Sequence, residues 1–74
     1  MNINGYAIIV ETLPTEEGGG FIATVPDLPG CMSDGETPQE ALANVQDAIK
    51  VWIEAAKDMG HVVPEPTKRF ALSA

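Results

Sequence analysis

The sequence predicts an α+β domain with elements in the order β-β-β-α-β: a small antiparallel sheet covered on one face by one long helix. Three observations carry this. Two runs rich in β-formers, residues 3–13 and 21–25, are joined by a short glycine-rich stretch. After Pro38 the apolar residues recur at helical spacing. A chain of 74 residues has room for one such two-layer unit.

The first strand carries Tyr6, Ala7, Ile8, Ile9 and Val10, and Pro14 stops it. Thr15 to Gly20 forms the turn, with three glycines that accept either sign of φ and two glutamates that keep it wet. Phe21 to Val25 is the second strand, antiparallel to the first, and Pro26 ends it. In Pro26-Asp27-Leu28-Pro29-Gly30 two prolines impose a rigid corner, with Leu28 as a buried plug between them. A short third strand follows near Cys31 to Asp34, and Gly35 marks a turn. Thr37-Pro38-Gln39-Glu40 is a helix start: threonine caps, proline suits the first helical position, and glutamate can close a capping box. Leu42, Val45, Ile49, Trp52, Ile53 and Ala56 form the helix's apolar stripe, and Gly60 is its stop. His61 to Val63 is expected as a short last strand. Residues 1–66 make the domain, and 67–74 are expected to be a loose tail.

So small a core rarely supplies more than about 3–5 kcal/mol. Cys31 is the single cysteine and His61 the single histidine, which excludes an internal disulfide and a Cys/His metal site. Self-association is the remaining support, and a homo-oligomer is expected. The lone thiol, the lack of a long apolar run and the lack of a signal-like N-terminus point to the cytoplasm. No cofactor is expected.

Net charge is −7, and it is lopsided. No lysine or arginine precedes Lys50, whereas Glu11, Glu16, Glu17, Asp27, Asp34, Glu36, Glu40 and Asp47 are all acidic. Such a body repels phosphate and is not expected to bind nucleic acid. It attracts a basic partner and speeds the encounter; solubility alone is the plainer account of the same charge. The strand faces add a second hint. Tyr6, Ile8, Val10, Phe21, Ala23 and Val25 alternate with Ala7, Ile9, Glu11, Ile22 and Thr24, so both faces are at least half apolar. One helix buries one face, and the other face, or a sheet edge, is expected to meet another chain.

The stretch from Phe21 to Cys31, the run from Ser33 to Leu42 and the Pro64-Glu65-Pro66 ending together resemble the HicB-type antitoxin domain over roughly residues 6–66. The resemblance implies a partial ribonuclease-H-like sheet with one helix. It also implies a function: masking a small basic RNA-cleaving toxin of the HicA type. Many such antitoxins add a C-terminal DNA-binding domain; this chain reaches Ala74 without one, as a stand-alone member or a truncated one, and Lys68 and Arg69 are far short of a DNA-binding face. The alternative is a stand-alone, self-assembling domain with no toxin.

The partner-binding candidates are the acids Glu16, Glu17, Asp27, Asp34 and Glu36, chosen by charge. No catalytic residue is assigned. A two-metal nuclease built on Glu11, Glu40 and Glu65 is the remote reading; helix capping and solvent exposure explain those residues more simply. Cys31 lacks a base and reads as packing, and Trp52 falls in the helix stripe and reads as core. Gly18-Gly19-Gly20 is not a phosphate loop, because no Lys-Ser/Thr follows it.

Overall fold

The structure, a computed structural model, describes residues 2–3 and 5–67. Its strands are β1 (Asn2–Ile3), β2 (Tyr6–Ala7), β3 (Ile9–Thr12), β4 (Phe21–Thr24) and β5 (Met32–Gly35), followed by the helix α1 (Pro38–Asp58). The main sheet is antiparallel in the order β3-β4-β5, and β1 and β2 form a separate two-stranded hairpin. Residues 15–17 make one turn of 3₁₀ helix between β3 and β4.

The α+β class and the single helix over one sheet face are as the sequence implies. Two elements differ. The long first strand is interrupted at Ile8, and its first part pairs with β1 through a turn at Gly5, where φ is +83°. The last strand expected at His61 to Val63 is not formed; residues 61–67 carry no regular structure. Among the described residues the main sheet therefore stops at β5, with no further strand after the helix, and nothing in it establishes the ribonuclease-H-like topology.

Register explains the layering. Ile9 pairs with Thr24, Val10 with Ala23, Glu11 with Ile22 and Thr12 with Phe21. On the other side Ile22 pairs with Asp34, Ala23 with Ser33 and Thr24 with Met32. Paired residues share a face. Val10, Ala23 and Phe21 therefore face α1, while Ile9, Glu11, Ile22, Thr24, Met32 and Asp34 lie on the opposite side. The core lies between sheet and helix, with Tyr6, Ile8, Ala23, Val25 and Cys31 meeting Ala41, Val45 and Ile49.

The helix begins and ends as its sequence dictates. The Thr37 hydroxyl accepts the Glu40 N–H at 3.0 Å, and Pro38 occupies the first turn. At the other end Gly60, at φ +72°, lets its own N–H reach Lys57 O at 3.0 Å and the His61 N–H reach Ala56 O at 2.8 Å. Those crossed bonds are a Schellman motif, which turns the chain sharply off the axis. The proline corner is a pair of consecutive turns: Leu28 N–H donates to Val25 O at 3.1 Å and Cys31 N–H to Leu28 O at 2.9 Å. Leu28 is fully buried between them, and the Trp52 indole N–H locks the corner to the helix by donating to Pro29 O at 2.9 Å.

After Gly60 the chain returns as a strap along the N-terminal hairpin. Tyr6 Oη donates to Pro64 O. Thr67 donates its N–H at 2.8 Å and its hydroxyl at 2.6 Å to the two oxygens of Asp27. Of the tail expected at 67–74, Thr67 is thus tied down, and the remainder lies outside the described residues. Among the described residues no helix is long and apolar enough to cross a membrane.

Candidate partner-binding surface

Among the described residues, nothing covers the sheet face turned away from α1. Ile9 is 48% exposed and Met32 51%, with Ile22 and Thr24 half-buried between them and Glu11 and Asp34 exposed at one end. Alternation in β3 and β4 already separated Ile9, Ile22 and Thr24 from the buried set. Met32 escaped that reading, although Cys31-Met32-Ser33 alternates in the same way, with Cys31 buried and Met32 exposed.

The five acids chosen by charge fall into two places. Glu16 and Glu17 are exposed on the 3₁₀ turn, and Asp34 and Glu36 are exposed at the end of β5. These four share the end of the sheet where Phe21 pairs with Gly35. There Gly18 to Gly20, Asp34, Gly35, Glu36, Glu40 and Asn44 line an open polar cleft of about 570 Å³. The close approach of two glycines shapes it: a Cβ on Gly20 would stand 2.7 Å from the Gly35 carbonyl oxygen. Asn44 Nδ2 donates to Asp34 O at 2.8 Å and ties the helix to the outside of β5.

Asp27 lies at the opposite end of the sheet, in the corner, with its carboxylate engaged by Thr67. Its pairing with a residue forty positions later leaves no local signature.

The residues of the nuclease reading do not converge. Glu11 is on the uncovered sheet face, Glu40 is in the first turn of the helix on the other side, and Glu65 is in the strap. Among the described residues no group of three or more His, Cys, Asp or Glu is placed to hold a metal ion. Cys31 is buried, and desolvation pushes its thiol above the ordinary range, the reverse of what a nucleophile needs.

A family model described as a HicB-like antitoxin of bacterial toxin–antitoxin systems matches residues 6–73. The chain belongs to the HicB-like antitoxin family. A UPF0150 protein of Thermoplasma acidophilum is 37% identical over 59 residues, which is 80% of this chain and 81% of that protein. A second UPF0150 protein, from Synechocystis, is 40% identical over 53 residues, 72% of this chain and 63% of its own length. An uncharacterised 14.9 kDa protein of Haemophilus phage HP1 is 35% identical over 60 residues, 81% of this chain but 42% of the phage protein. This HicB-like domain therefore also occurs as part of a chain about twice as long. No solved structure matches the chain.

Proposed function

We propose that this HicB-like domain is an antitoxin module that binds a small basic toxin of the HicA type, an RNA-cleaving protein, in the cytoplasm and masks its catalytic surface. It acts by steric cover and electrostatic steering, with no chemistry of its own. The observation that carries the reading is the uncovered apolar sheet face of Ile9, Ile22 and Met32, in a chain of antitoxin family, with Glu11 and Asp34 at its acidic end. Apolar area supplies affinity, and the acids at that end, Glu16, Glu17, Asp34 and Glu36, bring a basic partner in quickly. Asp27 would contact a partner only as a separate patch at the other end of the sheet.

Affinity purification of the tagged protein from its host, followed by mass spectrometry, tests this. A small basic protein in stoichiometric amount, whose association slows as salt is raised, is the expected result. Recovery of the chain alone would overturn it.

The exposure of Ile9 and Met32 also favours a second reading, in which two copies bury this face against each other and the oligomer is the functional unit.

A further inference from the structure

We infer that the outer edge of β3 accepts an extended strand from a basic partner, with Glu11 selecting a basic side chain on that strand and rejecting a second copy of this chain. The identity of the partner rests on the antitoxin reading; the place rests on the backbone alone.

The sheet has two edges, and they are not equivalent. Val25 N–H donates to Cys31 O at 3.0 Å, so in the β4–β5 ladder Cys31, Ser33 and Gly35 point inward while Met32 and Asp34 point outward. That edge is obstructed, because Asn44 Nδ2 takes up the Asp34 carbonyl at 2.8 Å. At the other edge Leu13 N–H donates to Gly20 O at 2.8 Å. With the register of β3 on β4, this turns Ile9 and Glu11 inward and directs the N–H and C=O of Val10 and Thr12 outward. Among the described residues no strand pairs with them.

Edge strands are commonly blunted by lysine, proline or a bulge. Ile9–Thr12 contains no lysine or proline, and its register is unbroken. All four residues are exposed. The helix packs mainly over β5 and β4 and only lightly on β3, so even Val10, on the helix side, is 37% exposed. Val10, Pro38, Gln39 and Leu42 line an apolar groove of about 160 Å³ beside the edge.

Register decides the occupant. If β3 paired antiparallel with β3 of a second copy and used every outward group, Val10 would stand opposite Thr12 and Glu11 opposite Glu11. The two glutamates would form a non-hydrogen-bonded pair, with Cα atoms about 4.5 Å apart. Like charges so placed destabilise a sheet. A strand with lysine or arginine opposite Glu11 reverses the sign. Its neighbouring side chains then fall on the helix side, where apolar groups enter the groove next to Val10. This is strand addition, with main-chain bonds for affinity and alternate side chains for specificity. The surrounding charge agrees: Glu16 and Glu17 follow β3, and no lysine or arginine precedes Lys50.

The test is amide hydrogen exchange on the full chain with a short capped peptide alternating valine and lysine. The Val10 and Thr12 amides are expected to slow by about tenfold, while those of Met32 and Asp34 do not change. A valine–glutamate peptide should slow none of them, and Glu11→Lys should exchange the two preferences. Thr12→Pro removes only an outward N–H and should abolish protection of Val10 without unfolding the sheet. No protection, or protection spread over β5, overturns the proposal. Protection with no basic protein recovered from the host would leave the edge standing and remove the antitoxin reading. A co-purified toxin that leaves Val10 and Thr12 unprotected would do the reverse.

Discussion

Cys31 sits just before β5 with its thiol in the core, and desolvation raises its pKa above the ordinary value of about 8.5. The folded state therefore holds the thiol proton more tightly than the unfolded state does. The stability this contributes is fully present below the unfolded value and declines as pH rises through it toward the folded one. The denaturation midpoint of the wild type is expected to fall above pH of about 8.5, and that of Cys31→Ala to fall less. A thiol-alkylating reagent should meanwhile react no faster than the protein opens; labelling at the rate of a free thiol would show that the side chain is accessible. The burial of Leu28 and Cys31 could be placed from sequence, because apolar groups in and beside a proline corner have few alternatives. Trp52, read as core from the helical stripe, is half-buried, with its indole N–H on Pro29 O. Asp27 could not be placed in this way. Its hydrogen-bond partner, Thr67, is forty residues away, so the local sequence carries its charge but not that contact.

The helix and the last strand of the sheet approach more closely than their patterns suggest. A Cβ on Gly35 would lie 2.5 Å from the Ala41 nitrogen and 2.8 Å from the Glu40 carbonyl carbon. Both obstacles are backbone, so no side-chain rotation relieves them. Gly35→Ala is expected to cost about 1–3 kcal/mol, read as a lower urea midpoint. An unchanged midpoint would mean that α1 can shift outward freely. Gly35 reads locally as a turn, yet it is small because the backbone of α1 touches β5 there. Helix boundaries were legible, since Thr37, Pro38 and Gly60 act on their own neighbours. His61 to Val63 was misread for the opposite reason. Two valines favour a strand, but a strand also needs a ladder, and the turn at Gly60 sends the chain along the hairpin instead. The Asn4-Gly5 dipeptide was the available signal for the N-terminal hairpin.

The molecule as a whole combines an acidic surface with one bare apolar face, and these respond to salt in opposite ways. Attraction to a basic toxin weakens as charges are screened, whereas burial of Ile9, Ile22 and Met32 between two copies does not. Sedimentation of the chain alone therefore tests self-assembly. A dimer that persists in high salt and dissociates in Met32→Asp is expected if the faces pair; a monomer at every concentration would remove that reading. The two uses of the sheet, face and edge, need not compete, because they lie on different sides of β3.

Among the described residues, the strap also closes nearly a ring from the N-terminal hairpin to Pro66. Gly5 packs against Pro66, and Tyr6 reaches Pro64 across fifty-eight positions of sequence. Backbone continuity at any one place is then not what holds the domain together. A short linker could join the chain at Gly5 to the strap at Pro66, and the chain could be reopened in the exposed turn at 15–20, between strands that remain paired. Such a permutant would keep the same sheet and helix while freeing the loop beside the acidic cleft, and so would separate what that loop does for folding from what it does for a partner.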